Sequence, residues 1–580
     1  MKFCYNCGTA LSGTEKFCGK CGARIEHKGQ AQVQVQNPVQ EPVQDDAEQK
    51  ARKCSRRGVL FTNIELLASE LRCRKTQLTD LLKVYVNVMT DGDISYKVVD
   101  ASDYKFVSKG AGRKNECVSL GSANTWIDYQ HILYDIICYE KENGLPESNY
   151  LFIIGGHNIV PVSAINHYID EEDFSDTDIE TDILYSYPYG PHTQAALESQ
   201  QLYKQEMYFL VGRLPVPEEA DISYLIHYFE NVQTVVKGIP ITKVYAQCDP
   251  HWKNLTAHLM APFNEAGMLP DRGNISGRFC YGNVMLGPDV TSEHIASVMD
   301  RDTDLIYLNL HGSSHPRMSG YSGERPPQTH QYVEIFPTSA MRIPNRPNVF
   351  VAEACYGGRF IGYDEVDSMI QAGLSHMTVL GLASSRIAFG TSHPPGSSAD
   401  VLCSHFVMSL MQGYSAGEAM VLARKAFFGR DGMLTDIGAT TLAEFNLFGD
   451  PSLHVGLAGP SLKAAVAFDR KVAPADFPIG YDAKVIKSSS SKQSLLDRVR
   501  GAVDANIKAM SDAIGKELYE QCGLPPREPQ TVKRVKFANG QERMMFSYSD
   551  KSNNPDSSVT TLWRVTASTD GKIESVLTSK

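Results

Sequence analysis

A histidine and a cysteine, each at the end of a short apolar run, are the two residues whose types and spacing best suit chemistry. His311 follows the run at 305–310, and Cys355 follows the run at 349–354. If these runs are neighbouring parallel strands, both side chains emerge at the carboxyl edge of one sheet, where open α/β sheets build their sites. A thiol beside an imidazole suits a cysteine nucleophile with a histidine partner. We therefore predict that Cys355 and His311 form a catalytic pair.

Glycines next to both residues fit this interpretation. A nucleophilic cysteine must be partly exposed, held as a thiolate and close to backbone donors for an oxyanion. Gly312 directly follows His311, and Gly357 and Gly358 lie just beyond Cys355. Because glycine carries no side chain, the backbone there is free to approach a substrate. We expect the N–H groups of Gly312 and Cys355 to face the substrate carbonyl.

Other cysteines and histidines leave alternatives open. A single cysteine is most often an inert, buried, small apolar residue, and this alternative fits Cys248, Cys280 and Cys403. The rivals of His311 for the partner role are His315, His376, His393 and His405.

Length, charge and cysteine usage limit the class of protein. A chain of 580 residues is too long for one ordinary domain. The formal charge of −11 argues against a generic nucleic-acid binder. No apolar stretch approaches the roughly 20 residues that span a bilayer, and the N-terminus has no signal-peptide core. Thirteen cysteines, odd in number and mostly scattered, fit a reducing compartment. We expect a cytoplasmic protein without a membrane partner.

The first 25 residues carry a metal-ligand pattern. Cys4-x2-Cys7 and Cys18-x2-Cys21 supply four thiolates, and a glycine follows each pair. Four thiolates suit tetrahedral Zn²⁺, and a segment this short depends on the metal for its folding energy. The segment resembles short bacterial zinc ribbons, which bind protein, bind nucleic acid or serve as a mount. A redox Cys-x2-Cys motif or a chance spacing is the alternative.

Composition divides the rest of the chain. Apolar strand-like runs alternate with amphipathic stretches over 58–456, which predicts an α/β fold with a mostly parallel sheet covered by helices. The C-terminal part combines helical periodicity at 493–521 with alternating strand-like pieces, which predicts a small α+β unit. The predicted units are a zinc ribbon at 1–25, a disordered linker at 26–57, α/β subdomains at 58–235 and 236–456, a linker at 457–492 and a C-terminal module at 493–580.

Within the α/β region, individual elements are also predicted. The strands are at 150–154, 209–211, 241–248, 305–310, 349–354 and 377–383, and the helices at 291–300, 364–373, 399–412 and 416–428. The strands of the C-terminal module are at 532–537, 543–548, 560–566 and 573–578.

The two runs ending in His-Gly and Ala-Cys resemble the caspase-type cysteine peptidases, which include caspases, legumains, clostripain, separase and gingipains. Four further blocks, at 151–161, 209–214, 413–419 and 445–453, resemble the gingipain-like family, peptidase C25, in the order of that family. The resemblance implies a caspase/gingipain-like sheet and a Cys/His dyad that needs no cofactor for catalysis. Cys355 would attack the scissile carbonyl, and His311 would aid proton transfer to the leaving amine.

The resemblance also implies a substrate pocket. Gingipains place an acid for the residue before the cut in an Asp-x-x-Tyr segment, which Asp182 and Tyr185 match here. A buried carboxylate would favour Arg or Lys, although a surface carboxylate is the alternative and the stretch from Asp182 to Gly212 is longer than in the family. Phe389 is the nearest aromatic to the family's stacking position. Glu353 shares the strand face of Cys355 and would orient or polarise the site, unless it is simply a solvated or hydrogen-bonded carboxylate.

These observations predict a cytoplasmic, bacterial cysteine endopeptidase that cleaves protein or peptide substrates after a basic residue. The basic cluster at 52–57 suits self-cleavage, and the zinc ribbon or the C-terminal module suits a regulatory protein partner. An inactive peptidase-like scaffold that binds partners through these units is the main alternative. A zinc-ribbon nucleic-acid factor is a third, which the acidic balance disfavours.

Overall fold

The computed structural model describes most of the chain. The described residues are 2–3 and 10–11 (backbone), 50–105, 117–166, 168–169, 178–188, 207–265, 295–297, 299–314, 320–324, 331–392, 394, 396–431, 435–456, 508–516, 519, 527–536, 542–551, 560–569 and 571–579. Several predictions lie outside them. These concern the four ribbon cysteines, most of the first linker, the linker at 457–492, half of the helix at 291–300, and Cys280, His315 and His393.

A nine-stranded sheet forms the centre of the α/β region. Its strands are β1 (Arg56–Thr62), β2 (Ile94–Asp100), β3 (Tyr150–Ile154), β4 (Leu210–Leu214), β5 (Val244–Cys248), β6 (Leu305–Asn309), β7 (Asn348–Ala352), β8 (Thr378–Ser384) and β9 (Phe445–Gly449). They lie in the order β5-β6-β7-β8-β9-β4-β3-β1-β2. Every residue of β3 and of β5–β9 is buried, as a sheet covered on both faces requires.

All neighbouring strands of this sheet are parallel except β8 and β9. These two are antiparallel, with Ala383 opposite Asn446 and Ser384 opposite Phe445. The carboxyl ends of β5–β8 therefore lie at one edge of the sheet, beside the beginning of β9. The prediction of a mostly parallel sheet is confirmed, whereas the reversal was not predicted.

Helices cover the sheet. They are α1 (Ile64–Glu70), α2 (Lys75–Met89), α3 (Trp126–Glu142), α4 (Ile222–Val235), α5 (Lys253–Glu265), α6 (Met369–Leu374), α7 (Ala399–Met411), α8 (Ala416–Asp431) and α9 (Asp436–Glu444). Polar side chains start several of them: Asn63 accepts from the Leu66 N–H before α1, and Thr125 and Asp128 form a capping box before α3. No helix in the described ranges has the length and apolar character needed to cross a membrane.

Two predicted elements begin later than expected. The N–H groups of Thr242 and Lys243 donate to the Asp304 carboxylate at 2.7 and 2.9 Å, so β5 starts only at Val244. The Ser368 side chain accepts from the Gln371 N–H, which starts α6 at Met369 instead of at residue 364. By contrast, β1 already includes Arg56 and Arg57, the last residues of the predicted linker.

Short antiparallel pairs connect these elements. The one that matters for the site is a hairpin of Tyr321–Glu324 and Tyr332–Phe336. The others are Lys2–Phe3 with Ala10–Leu11, Tyr104–Lys105 with Cys117–Val118, and Ser163–Ile165 with Ile179–Thr181, while Ile239–Pro240 pairs in parallel with Val455–Gly456.

The C-terminal module, taken here as 508–579, has an antiparallel sheet. Its strands are β10 (Thr531–Lys536), β11 (Glu542–Lys551), β12 (Thr560–Ser568) and β13 (Ile573–Ser579), each within three residues of the predicted bounds. A helical segment at 508–516 packs on it through Met510 and Ile514, which share a small core with Phe546, Trp563 and Val565. The sheet has a fifth strand that does not belong to the module, Phe389–Gly390, which pairs with β13.

A buried carboxylate ties the two ends of the α/β region together. Asp450, directly after β9, accepts hydrogen bonds of 2.6 Å from the hydroxyls of Tyr85 on α2 and Tyr96 on β2. It also accepts from the N–H and hydroxyl of Ser452 at 2.8 and 2.6 Å. Burial raises the pKa of Asp450, although these hydrogen bonds act in the opposite direction. Four donors on one fully buried carboxyl make it an anchor of the fold.

We expect Asp450→Ala to lower the free energy of unfolding by about 3 kcal/mol, because two buried tyrosine hydroxyls lose their acceptor. Urea unfolding measures this loss. The exposed Asp80, whose side chain lies 3.7 Å from Lys83, offers the control Asp80→Ala, with an expected change below about 1 kcal/mol. Equal stability of the two variants would contradict the anchoring role.

Candidate active site

The register of β6 and β7 places His311 and Cys355 at the same level of the sheet. The two strands are parallel neighbours, as predicted, with Leu308 opposite Ala352. The Glu353 N–H continues the ladder by donating to the Leu308 carbonyl at 2.8 Å. His311 and Cys355 each lie three residues beyond this pair. Because both residues follow a paired position by the same number of residues, the imidazole and the thiol lie at the same edge of the sheet.

Gly312 holds the two strand ends together. Its α-carbon lies so close to the backbone of Cys355 that an added β-carbon would overlap the Cys355 carbonyl group. Any other residue at 312 would therefore push the two strand ends apart. Gly312 is buried, and no hydrogen bond of the described residues uses its N–H. A buried, unused donor next to the thiol suits an oxyanion, although the assignment of Gly312 and Cys355 as the oxyanion donors stays a prediction.

The chain turns sharply at the cysteine. Tyr356 has a φ of 58°, in the left-handed region that a residue with a β-carbon rarely adopts. The Tyr356 N–H donates to the Arg386 carbonyl at 3.0 Å, and the Ala388 N–H lies 3.3 Å from the Cys355 sulfur. The segment from Arg386 to Ala388 thus holds both the turn and the thiol.

Two aromatic rings confine the imidazole. The ring centroid of His311 lies 4.5 Å from that of Trp252 and 4.6 Å from that of Tyr332, the latter in an edge-on arrangement of 69°. Backbone hydrogen bonds of 3.0 and 2.8 Å between His311 and Ser322 fix the strand end to the hairpin. The imidazole is therefore restrained on its faces and at its backbone.

Sequence reasoning missed this aromatic pair and two acids beside it. Asp249, directly after β5, is buried and accepts from the N–H groups of His251 and Glu324 at 2.8 and 2.6 Å. Burial raises the pKa of Tyr332 well above its usual value, and the nearby Glu324 and Asp249 raise it further, so its hydroxyl stays protonated. The position of Asp249 at the end of β5, next to β6, was the signal that could have identified it.

A buried hydroxyl lies on the other side of the cysteine loop. The Tyr321 hydroxyl is so close to Gly357 that an added β-carbon would overlap it. Burial raises the pKa of Tyr321 well above its usual value, and the thiols of Cys355 and Cys403 add to the effect. This residue closes the space behind the nucleophile.

Both members of the predicted dyad are largely covered, since His311 and Cys355 are each 4 % exposed. A substrate reaches them only when neighbouring side chains move. In peptidases of this chemistry the resting geometry is often loose and tightens on binding, so coverage in the resting state is compatible with activity.

Asp182 is already paired inside the protein. Its two carboxylate oxygens accept from Nε and Nη2 of Arg213, both at 2.7 Å, and the Arg213 side chain is completely buried. Arg213 also donates to the carbonyls of Gly155 and Val160 at 2.8 Å. Because a carboxylate with both oxygens in a buried ion pair is not free for a substrate cation, this arrangement argues against the predicted pocket role.

Glu353 and Phe389 do not line a pocket that is open to a substrate, because both side chains are completely buried. Glu353 is completely buried, and its carboxylate accepts a hydrogen bond from the Tyr307 hydroxyl inside the sheet. Phe389 is completely buried in an apolar cluster with Ile169, Ile437 and Leu562. Burial therefore separates both side chains from a bound substrate, and of the two alternatives considered for Glu353 the structure favours a hydrogen-bonded carboxylate.

Of the rivals of the dyad, the structure describes His376, His405, Cys248 and Cys403, and His405 lies on α7. His376 precedes β8 at the opposite edge of the sheet, 3.7 Å from Glu365, and burial lowers its pKa. Cys248 is buried at the end of β5, and Cys403 is buried on α7, as is usual for an inert cysteine. Within the described ranges, no group of three or more His, Cys, Asp or Glu side chains is arranged to hold a metal ion.

Comparisons with known proteins identify the family of the chain. The sequence model of peptidase family C25 matches residues 133–456, more than half of the chain. Among solved structures, the chain is similar to the Arg-specific cysteine proteinase gingipain R (RgpB), with 14 % identity, a TM-score of 0.42, and coverage of 69 % of this chain and 78 % of the other. A complex of the Porphyromonas gingivalis RgpB pro- and mature domains gives the same identity and TM-score, with 69 % and 80 % covered.

A third solved structure is described only as a protease. Its sequence is 11 % identical and the TM-score is 0.42. The match covers 90 % of this chain and 97 % of that chain. No curated protein matches the chain significantly.

The internal pairing of Asp182 generates a discriminating prediction. We expect Asp182→Asn to lower the free energy of unfolding by about 3–5 kcal/mol, because it leaves the buried Arg213 guanidinium without a counter-charge. Urea unfolding measures the change. The more exposed pair of Glu365 and Arg342, at 3.0 Å, offers the control Glu365→Gln, with an expected loss of about 1 kcal/mol or less.

The pocket role predicts the opposite pattern for the same variant. If Asp182 bound the substrate, Asp182→Asn would retain the stability of the fold and lose cleavage after Arg or Lys. Observing that pattern would support a role of Asp182 in the substrate pocket.

Proposed function

Because this chain belongs to peptidase family C25 and is a cysteine peptidase, we propose that it is an endopeptidase whose dyad is Cys355 and His311. The observation that carries the proposal is the parallel pairing of β6 and β7, which brings the two residues to one sheet edge. The protein substrate is the partner that this activity requires.

The proposed reaction has two steps. The Cys355 sulfur, as thiolate, attacks the carbonyl carbon of the scissile bond, and the N–H of Gly312 would stabilise the negative oxygen. The C–N bond then breaks, and protonated His311 gives its proton to the leaving amine. Water next attacks the resulting thioester, with His311 as the base, and releases the carboxylate product and the thiol.

Selectivity for Arg or Lys is the finer part of the proposal. It rests on the resemblance described above, and not on Asp182, Glu353 or Glu180, because internal groups occupy these carboxylates. A preference for basic residues would therefore have to arise from another acid. The cleavage experiment below decides whether the preference exists.

We further propose that residues 1–25 form a structural zinc ribbon. In support, Lys2–Phe3 pairs antiparallel with Ala10–Leu11, so a hairpin flanks the first Cys-x2-Cys pair. Four thiolates at this spacing suit tetrahedral zinc. The zinc ion would stabilise the ribbon and take no part in peptide hydrolysis.

The scattered cysteines outside the ribbon support a reducing, cytoplasmic location. A regulatory protein partner of the ribbon or the C-terminal module also remains part of the proposal. Self-cleavage in the basic cluster is restricted by the fold: Arg56 and Arg57 belong to β1, and the Arg56 guanidinium donates to the Ser452 carbonyl at 2.8 Å. We therefore propose Arg52 and Lys53 as the sites of self-cleavage.

Incubation of the purified full chain with a peptide library tests the activity. We expect cleavage that Cys355→Ala abolishes, whereas Cys138→Ala, which removes a half-buried thiol on α3, should retain it. Product sequencing gives the residue before each cut. Mass spectrometry of the enzyme shows whether its N-terminus begins directly after Arg52 or Lys53.

The outcomes separate the parts of the proposal. Cleavage that survives in Cys355→Ala would contradict the dyad. Cysteine-dependent cleavage after non-basic residues would contradict only the selectivity, and an intact N-terminus in the active enzyme would contradict self-cleavage. Neither cleavage nor labelling of Cys355 by a thiol probe would favour an inactive scaffold.

The ribbon makes a separate prediction. We expect about one zinc ion per purified chain by atomic emission, because four thiolates complete one tetrahedral site. Replacing Cys4 and Cys7 together by serine should release the metal, whereas Cys138→Ser, at a half-buried cysteine on α3, should not. Metal retained by the double variant would contradict the ribbon.

A further inference from the structure

The C-terminal module is built into the edge of the α/β region. Its outermost strand β13 pairs with Phe389–Gly390 of the α/β region, with Phe389 opposite Ser579 and Gly390 opposite Thr578. On β12, the buried Arg564 donates to both carboxylate oxygens of Asp436 at 2.7 Å. These polar contacts surround the apolar cluster that contains Phe389 and Leu562.

One of these contacts leads to the nucleophile. Phe389–Gly390, which β13 holds, directly follows Ala388 in the chain. The Ala388 N–H lies 3.3 Å from the Cys355 sulfur, and the sulfur lies 3.6 Å from the Ala388 carbonyl oxygen. The backbone groups that contact the thiol thus belong to the residue directly before the strand that pairs with the module.

A second contact leads to the histidine. The hydroxyl of Thr561, at the beginning of β12, forms a 2.7 Å hydrogen bond with the Tyr332 hydroxyl. The ring of Tyr332 in turn lies edge-on against His311, with 4.6 Å between centroids. Thr561 and Tyr332 are 2 % and 3 % exposed, so water does not compete for their hydrogen bond. The hydroxyl end of the Tyr332 ring is therefore held by a residue of the module.

We propose that the C-terminal module positions the dyad, and that Tyr332, held by Thr561, is the positioning residue for His311. This inference rests on the proposed peptidase activity and assigns the module a part in it. The module reaches both members of the dyad by separate routes, through Ala388 and through Tyr332. The two routes start from different strands, β13 and β12, so a purely structural attachment would not require both to end at the reactive groups.

Small displacements of these groups have large kinetic effects. A catalytic group displaced by about 1 Å loses up to roughly 100-fold in rate, because the reacting atoms no longer meet in the productive geometry. Loss of one hydrogen bond at Tyr332 frees its ring to tilt and the imidazole to follow. Binding of the substrate does not depend on this ring orientation, so the effect should appear in kcat and leave KM nearly unchanged.

The test replaces Thr561 by valine, which preserves the shape of the side chain and removes the hydroxyl. We expect kcat to fall roughly 10- to 100-fold, with KM within about twofold of the wild type. Thr561→Ser, which retains the hydroxyl, should recover most of the activity. The control is Thr566→Val on the same strand, whose half-buried side chain lies five residues from Thr561; its kcat should equal that of the wild type. Thermal unfolding of each variant confirms that the module remains folded.

A second measurement needs no peptide substrate. The rate at which iodoacetamide alkylates Cys355, followed against pH, reports the thiolate fraction that His311 sustains. We expect Thr561→Val and Tyr332→Phe to shift this pH profile by the same amount, and the double variant to shift it no further, because both remove one hydrogen bond.

Results that contradict the positioning role differ from results that contradict the proposed function. An unchanged kcat and pH profile in a folded Thr561→Val variant would overturn the positioning role, and so would a gain in kcat, which would indicate that the module restrains the site. Absence of cysteine-dependent cleavage in the wild type would instead contradict the proposed function, while the alkylation profile would still decide whether the module acts on the dyad.

Discussion

The close approach of two parallel strand ends is the constraint on which the site depends. β6 and β7 pair through Leu308 and Ala352, and Gly312 then lies directly against the Cys355 backbone. This contact has two consequences. It fixes the distance between the strand ends that carry the imidazole and the thiol, and it excludes every residue with a β-carbon from position 312. The relation between the two reactive side chains therefore depends on the backbone of these strand ends.

The reversal between β8 and β9 explains the surroundings of that edge. Because β9 is antiparallel to β8, its beginning lies beside the end of β8, and Asn446 there binds the segment at 178–182 by accepting from the Asp182 N–H at 2.9 Å. The Ser385 hydroxyl donates to the Glu180 carbonyl at 2.8 Å, and Arg386 pairs with the Glu180 carboxylate. The acidic segment thus clamps the loop that leads to Ala388. Through Glu180, this segment holds a loop that contacts the nucleophile.

The sequence was sufficient to predict the placement of His311 and Cys355 at one sheet edge because the signal is local. An apolar run predicts a buried strand, and a polar residue directly after it predicts a position at the sheet edge, so His311 and Cys355 could be identified from about eight residues each. Pairings between distant residues carry no such signal. Nothing near Asp182 indicates that Arg213 is its partner, and nothing near Phe389 indicates that it pairs with Ser579. The same limit applies to Tyr332, whose partners His311 and Thr561 lie far away in the chain.

Precision at the dyad depends on many weak contacts from distant segments. Tyr356 keeps an unfavourable left-handed backbone only because the Arg386 carbonyl accepts from its N–H and the Arg359 guanidinium lies 5.6 Å from its ring centroid. A single hydrogen bond of this kind contributes about 1 kcal/mol, which is too little to hold a strained turn alone. The arrangement therefore exists only when β5, the hairpin, the loop to Ala388 and the C-terminal module are folded together. A site built in this way gains or loses its geometry as a unit, and that makes a distant strand such as β12 able to affect the chemistry of the nucleophile.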